Sequence, residues 1–252
     1  MTTDPTSIAL VHTIPGMADV PVEQHEYITE QGPLAFDLYR PPGAAIAPAV
    51  ILVSGLPDPG VAAMLGKPIK DWASYIGWAR LLAASGMAAI TYVNRTAGDV
   101  TALVHHLRDH APALRIDPDR LAVWACSGHV PNALALLAHE RFAAAALLYG
   151  YTLDLDGSTA VADAAKKFYF AAPPVTLAEL PRALPMLIVR AGADATPGLN
   201  EALDRFVAAA RDLNLTRLDH PGPHSFDLRE DSPRTHEVIE DIVAFLRRAL
   251  LP

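Results

Sequence analysis

The stretch that decides the fold is Asp119-Arg120-Leu121-Ala122-Val123-Trp124-Ala125-Cys126-Ser127-Gly128-His129. Its apolar run at 121–124 is too short for a helix and predicts a buried strand. The segment 132–140 contains Ala and Leu and few helix breakers, which favours a helix. A serine between a strand and a helix is typical of the sharp turn called a nucleophile elbow, in which the hydroxyl stands above the sheet. The sequence therefore predicts an elbow at Ser127.

This elbow departs from the usual G-x-S-x-G pattern at both glycines. Ala125 replaces the first glycine, a small step because that position mainly needs little bulk. His129 replaces the second glycine, which weakens the motif taken alone. The simpler interpretation is that Ser127 only caps the helix that follows, as serines often do.

Cys126 offers a second register for the same turn. With Cys126 as nucleophile, Gly128 would match the second glycine of the motif. Trp124 would then occupy the first glycine position, where its bulk opposes the tight turn, whereas Ser127 places Ala125 there. We therefore interpret Ser127 as the nucleophile and keep Cys126 as the alternative.

Composition points to one globular domain over 1–252. The chain has 252 residues, of which 51% are hydrophobic and 19% charged, which suits a single α/β domain. The net charge is −8 with acids and bases interspersed, so we expect neither nucleic acid nor a membrane as partner. No secretory signal is visible, and one cysteine excludes an internal disulfide and a cysteine-rich zinc site. We expect a cytoplasmic protein, monomer or homodimer.

The remaining pattern predicts the architecture. Residues 1–21 carry little pattern and are expected to lie over the surface or dangle as an N-terminal extension. Residues 22–28 and 34–40 read as an antiparallel pair of strands. Apolar strands then alternate with amphipathic helices, and these strands are predicted at 49–53, 87–93, 121–124, 143–149, 185–191 and 215–220. The fold class is α/β, with a mainly parallel open sheet of about eight strands, an antiparallel N-terminal hairpin and helices on both faces.

The segment 150–184 is the longest connection between core strands. One interpretation is a packing helix with a loop. The other is a small lid insertion whose aromatic side chains line an acyl pocket.

Three chemically suitable groups fall at the carboxyl ends of predicted parallel strands, where ligands bind in such sheets. They are Ser127, Asp194 and His224. A serine hydroxyl needs an imidazole to take its proton, and a carboxylate fixes the imidazole tautomer. The order Ser, Asp, His is also the one used by α/β-hydrolases. We therefore predict a catalytic triad.

Each role has a rival. His220 is a second candidate base, although it lies at the end of a strand, where its side chain is less free to reach Ser127. Asp154 and Asp156 follow the strand ending at Tyr149 and are candidate acids.

The oxyanion formed during acyl transfer needs two N–H donors. Gly128 follows the nucleophile and is one candidate. The other is Leu56, in the loop after strand 49–53, because Pro57 has no N–H to give.

Four residues are predicted to line the substrate pocket: His129, Tyr149, Tyr151 and Phe168. We expect His129 to face the pocket rather than the sheet. A buried imidazole would need a hydrogen-bond partner, and nothing nearby in the sequence obviously supplies one.

The chain resembles α/β-hydrolases of the dienelactone hydrolase-like group. The matching stretches are 49–55, 119–127, 190–194 and 221–227. The resemblance implies the fold, hydrolysis of esters or lactones, and functional roles for Ser127, Asp194, His224, Leu56 and Gly128. The chain departs from the group at two positions. Dienelactone hydrolases themselves use a cysteine in G-x-C-x-G, where this chain is interpreted to use Ser127. Ser54 replaces the common histidine before Gly55.

Two main functions remain open at this point, and cleavage of an amide is a third possibility, although no second domain is present to gate peptides. The first is a serine hydrolase acting on a small carboxylic ester or lactone through an acyl-enzyme, without cofactor or metal. The second is a ligand-binding or sensor protein on the same fold with little or no turnover, because a fold does not fix a function and the elbow is altered.

Overall fold

One eight-stranded sheet lies at the centre of the computed structural model, which describes residues 4–251. The strands are β1 (Val22–Thr29), β2 (Gly32–Tyr39), β3 (Ala47–Leu52), β4 (Ala88–Tyr92), β5 (Ile116–Cys126), β6 (Ala144–Leu148), β7 (Met186–Ala191) and β8 (Leu215–His220). Their order is β1-β2-β4-β3-β5-β6-β7-β8. The pairs β1·β2 and β2·β4 are antiparallel, and all other pairs are parallel. The predicted fold class is confirmed.

Helices connect the strands and cover both faces of the sheet. They are α1 (Asp58–Leu65), α2 (Ala73–Ala84), α3 (Asp99–Asp109), α4 (Ala111–Leu114), α5 (Val130–His139), α6 (Ala160–Phe168), α7 (Leu199–Ala209), α8 (Phe226–Arg229) and α9 (Pro233–Leu250). None of the helices within residues 4–251 is long and apolar enough to cross a bilayer.

The continuous apolar runs of the central strands follow from this two-sided cover, because a strand buried on both faces has no polar side. Ile51 and Val123 pack in the core formed with α3, α5 and α7. Val50 and Trp124, their neighbours in sequence, pack in the opposite core formed with α2 and α9. The central strand β5 pairs with β3 and β6, so its carboxyl end lies in the middle of the sheet edge.

The N-terminal stretch is anchored to the domain. Leu10, Met17 and Val20 are buried in the α2/α9 core. Leu10 lies so close to Gly77 of α2 that a Cβ at this glycine would be 2.9 Å from the Cβ of Leu10. Of the two expectations, residues 4–21 lie over the surface and do not dangle, because a few apolar side chains suffice to dock a stretch without periodicity. The first three residues of the predicted extension lie outside the described residues.

The insertion 150–184 consists of α6, a short helical turn at Leu177–Glu179 and connecting loops. The Asp154 carboxylate accepts hydrogen bonds from the N–H groups of Val161 and Ala162, both at 2.9 Å, and so caps α6. The N–H of Ala171 donates to the carbonyl of Gly55 at 2.7 Å. The insertion is thus joined to the loop after β3; its action as a lid stays a prediction.

A carboxylate on β1 makes stability depend on pH. Arg40 donates to both carboxylate oxygens of Glu23, at 2.9 and 2.7 Å, and these bonds lower the pKa of Glu23 from 4.5 to about 2. A carboxyl whose folded-state pKa is depressed stabilises the protein fully above its unfolded value and loses that contribution as pH falls through the folded value. We expect Glu23→Gln to be less stable than the parent at about pH 7, and the difference to shrink as pH falls from 4.5 towards 2.

Urea unfolding of the parent and of Glu23→Gln at about pH 7 and about pH 3 measures this. Glu26→Gln, an exposed carboxylate on the same strand, is the matched control. A difference between the parent and Glu23→Gln that stays constant with pH would contradict the assignment.

Candidate active site

The turn at Ser127 has the geometry of an elbow. Ser127 directly follows β5 and adopts φ 53°, in the left-handed region that costs a non-glycine residue about 1–3 kcal/mol. The turn is possible because Gly150 leaves room beside it: a Cβ at Gly150 would lie 2.5 Å from the carbonyl oxygen of Ser127. Ala125, at the first glycine position of the motif, is completely buried. The strain is therefore held by close packing on both sides of the turn.

The structure brings the three residues of the predicted triad into one hydrogen-bonded chain. Ser127 Oγ lies 2.8 Å from His224 Nε2, and His224 Nδ1 lies 2.5 Å from Asp194 Oδ2. The other oxygen of Asp194 accepts the N–H of Thr196 at 2.8 Å. The imidazole thus connects a buried carboxylate to a hydroxyl at the end of the central strand.

Hydrogen bonds keep the carboxyl group of Asp194 ionised. Burial raises the pKa of Asp194, but hydrogen bonds from His224 and Thr196 outweigh it and hold the pKa below 3.8. An ionised Asp194 fixes the proton of the neutral imidazole on Nδ1. The lone pair of His224 Nε2 then faces the Ser127 hydroxyl, which is the arrangement needed to accept its proton.

The rivals for these roles are engaged elsewhere. His220 is fully buried, its Nδ1 accepts the N–H of Gly222 at 2.9 Å, and its Nε2 lies 3.0 Å from the hydroxyl of Thr235. Asp154 caps α6, and Asp156 lies exposed in a turn. None of them hydrogen-bonds to Ser127 or His224 in the described part of the chain.

Cys126 lies in a different environment from Ser127. Its thiol is partly buried and lies close to the hydroxyls of Tyr75 and Tyr149. Burial, together with the charge of Asp227, raises the pKa of the Cys126 thiol well above its ordinary value. Since the thiolate is the nucleophilic form, this environment disfavours the alternative register.

His129 has the buried partner that the sequence did not reveal. Its Nδ1 accepts the N–H of Gly55 at 2.8 Å, and its ring packs edge-on against Tyr75. The premise that no partner is at hand is therefore wrong: the partner comes from the loop after β3, distant in sequence. Burial lowers the pKa of His129 to about 4, so the ring is neutral near pH 7.

A cavity of about 280 Å³ opens above Ser127. It is lined by Leu56, Ser127, Gly128, His129, Tyr151, Phe168, Phe170, Thr196, Leu199 and His224. Of the four predicted pocket residues, His129, Tyr151 and Phe168 line it. The two residues predicted to donate to the oxyanion, Leu56 and Gly128, also line this cavity. The N–H of Leu56 donates to Ser54 Oγ at 3.3 Å. The role of both residues as donors to a substrate stays a prediction.

Tyr149 does not line this cavity but lines a second cavity that also contains Ser127, so its role in the substrate pocket stays a prediction. It is buried in the α2/α9 core, with φ 35°. Its hydroxyl donates to Asp227 at 2.7 Å, and its ring packs edge-on against the imidazole of His224, with the centroids 5.1 Å apart. Asp227 also accepts the indole N–H of Trp78 at 2.8 Å. The ring of Tyr149, held by Asp227, therefore packs against one side of the His224 imidazole.

Three pocket residues escaped the sequence analysis: Phe170, Thr196 and Leu199. Phe170 packs on the elbow so closely that a Cβ at Gly128 would lie 2.9 Å from its ring. The sequence feature that points to Phe170 is the aromatic run at 168–170 inside the insertion. Thr196 stands two residues after Asp194, the spacing at which an aspartate accepts a backbone N–H in a turn.

A second cavity, of about 240 Å³, is also lined by Ser127. It shares Leu56, Ser127 and His129 with the first cavity. Tyr75, Cys126 and Tyr149 are among the other residues that line it. The cleft therefore has two lobes that meet at Ser127. Within residues 4–251, no three His, Cys, Asp or Glu side chains are grouped so as to hold a metal ion.

Comparison of the sequence alone identifies no family: no family model matches the chain, and no curated protein matches its sequence. Solved structures do match. An esterase from the fungus Rhizomucor miehei has 18% identity and a TM-score of 0.66, over 92% of this chain and 86% of the other. The thermophilic carboxylesterase EstE1, cloned from a metagenomic library, has 15% identity and a TM-score of 0.72, over 96% and 92%.

A hyperthermophilic esterase from the archaeon Pyrobaculum calidifontis has 18% identity and a TM-score of 0.69, over 92% of this chain and 88% of the other. Identities this low carry the fold and not the activity, so the resemblance to the dienelactone hydrolase-like group stays a prediction. The sheet order, the antiparallel hairpin and these neighbours together show that the chain has the α/β-hydrolase fold.

Proposed function

We propose that this protein is a serine hydrolase that cleaves small carboxylic esters or lactones through an acyl-enzyme. The observation that carries the proposal is the hydrogen-bonded chain from Ser127 through His224 to Asp194. Further support comes from the names of the structural neighbours, which are called esterases.

In the first step, Ser127 Oγ attacks the carbonyl carbon while His224 Nε2 takes the hydroxyl proton. The tetrahedral intermediate collapses as the bond to the leaving oxygen breaks, and His224 returns the proton to that oxygen. Asp194 stabilises the imidazolium formed in between. The products of this step are an alcohol and an acyl-Ser127 ester; with a lactone, both groups stay on one chain.

In the second step, water replaces the alcohol. His224 takes a proton from the water as it attacks the acyl carbon, and returns it to Ser127 Oγ when the acyl bond breaks. The carboxylic acid leaves, and the enzyme is restored.

The developing oxyanion needs two donors, for which we assign the N–H groups of Gly128 and Leu56. Gly128 directly follows the nucleophile, and Leu56 lines the same cavity. The contact of the Leu56 N–H with Ser54 Oγ is long, at 3.3 Å, so the donor is readily given up to a charged acceptor. Losing one such donor costs about 10²–10³ in kcat.

The cavity favours a small acyl or alkoxy group with an apolar body. Its volume is about 280 Å³, and its walls include Tyr151, Phe168, Phe170 and Leu199. This is at the low end of small-molecule sites, which measure roughly 300–1,000 Å³. We therefore expect short-chain esters and small lactones to be turned over faster than long-chain esters.

A panel of p-nitrophenyl esters of rising acyl length, with small lactones followed by pH-stat, tests this function. We expect saturable hydrolysis with kcat/KM highest for short acyl chains, and labelling by a fluorophosphonate that peptide mapping places on Ser127. The matched control is Ser127→Ala, which should be neither labelled nor active. A wild-type protein that neither labels nor exceeds the buffer rate would instead favour the binding or sensor protein.

A further inference from the structure

The backbone of the loop after β3 packs directly against the backbone of the elbow. A Cβ at Gly55 would lie 2.9 Å from the carbonyl oxygen of Gly128 and 3.2 Å from Cα of His129. Only a glycine backbone fits in that space. The contacts that hold residues 54 and 55 therefore set the position of the peptide group that carries the Leu56 N–H.

Most polar backbone groups of residues 54 and 55 are held by the surrounding scaffold. Tyr92 Oη accepts the N–H of Ser54 at 3.0 Å, and the Asn132 amide donates to the carbonyl of Ser54 at 2.8 Å. The carbonyl of Gly55 accepts the N–H of Ala171 at 2.7 Å. The N–H of Gly55 is the remaining group, and His129 Nδ1 accepts it.

The imidazole can fill this role because it is neutral and fixed. A protonated ring would carry a hydrogen on Nδ1 and could not accept from Gly55. The ring is 93% buried, and its edge-on contact with Tyr75 holds its plane. A glycine at this position, as in the usual motif, would leave the N–H of Gly55 without its acceptor.

We propose that His129 is a positioning residue for the oxyanion hole: by accepting the N–H of Gly55, it sets the Leu56 N–H beside Ser127. This inference rests on the proposed hydrolase function and extends it to a residue that touches neither the reacting hydroxyl nor its base. His129 acts through the loop, and its effect falls on the charged transition state rather than on substrate binding.

Two substitutions at this position separate the acceptor from the bulk. Asn places Oδ1 at the same number of bonds from Cα as Nδ1 of His, so His129→Asn keeps an acceptor for Gly55. His129→Leu has a similar branched shape and no acceptor. With the best short-chain ester, we expect His129→Leu to lower kcat by about 10- to 100-fold with KM changed by less than about threefold, and His129→Asn to recover most of the loss.

A transition-state readout completes the test. A trifluoromethyl ketone forms a charged tetrahedral adduct with the serine, so its affinity should fall in His129→Leu in proportion to kcat/KM and return in His129→Asn. Urea unfolding of each variant measures stability separately. An unchanged kcat in His129→Leu, or a loss that Asn does not recover, overturns the positioning role; a wild-type protein without turnover overturns the hydrolase function itself.

Discussion

Ser127→Ala is expected to abolish ester hydrolysis, with kcat falling by about 10⁴-fold or more, while the protein stays folded. The hydroxyl lies 2.8 Å from His224 Nε2, and no other hydroxyl in residues 4–251 hydrogen-bonds to that nitrogen. Alanine removes only the oxygen, so packing around the turn is kept. Steady-state kinetics with a short-chain p-nitrophenyl ester measures the loss, in line with the effect of removing a nucleophile from an enzyme of this mechanism.

Cys126→Ala is the matched control for this result. The thiol is adjacent in sequence, but its pKa is raised by burial, and it faces Tyr75 and Tyr149 rather than His224. We expect Cys126→Ala to keep most of the activity. If Cys126→Ala were the dead variant and Ser127→Ala the active one, the nucleophile would be the cysteine and the mechanism that of a cysteine hydrolase.

The second large effect is expected at the base and its partner. His224→Ala should be nearly as inactive as Ser127→Ala, because members of a triad act as a unit and their losses do not add. Asp194→Asn should lower kcat by about 10⁴-fold, since an amide stabilises the wrong imidazole tautomer and cannot balance the imidazolium. The double variant Ser127→Ala with His224→Ala should show little further loss by the same kinetic assay.

Asp154→Asn is the control for Asp194→Asn, because it changes a carboxylate that follows a neighbouring strand of the same sheet. Asp154 caps α6 instead of contacting His224. We expect Asp154→Asn to retain activity. Activity that survives in Asp194→Asn and disappears in Asp154→Asn would move the acid to the earlier strand.

The strands and the edge that carries the site could be predicted from the sequence because both follow local rules. Continuous apolar runs mark strands covered on two faces, and their carboxyl ends meet at one edge in a parallel sheet. Ser127, Asp194 and His224 were singled out on that basis, and the structure places them in hydrogen-bond contact. The order Ser, Asp, His along the chain added support, because it is the order that α/β-hydrolases use.

What could not be predicted depends on contacts between distant segments. The acceptor role of His129 requires Gly55, 74 residues away, and no local pattern encodes this contact. The hydroxyl of Tyr149 reaches Asp227, 78 residues away, which places its ring beside His224 and against the second cavity rather than the first. The docking of Leu10 depends on one glycine in α2. Each involves a contact between residues far apart in the sequence, which periodicity cannot detect.

The anchored N-terminal stretch has a consequence for how the molecule is made. The N–H of Val11 donates to the carbonyl of Asp227 at 2.9 Å, so the segment at residues 4–21 pairs with a segment that is made much later. The bond between Ser127 and His224 likewise spans 97 residues. During synthesis Ser127 is therefore present well before His224, and loops that long close slowly. A nascent chain cut short before residue 224 holds the elbow without the imidazole that hydrogen-bonds to Ser127, so the site is assembled only when both segments are present.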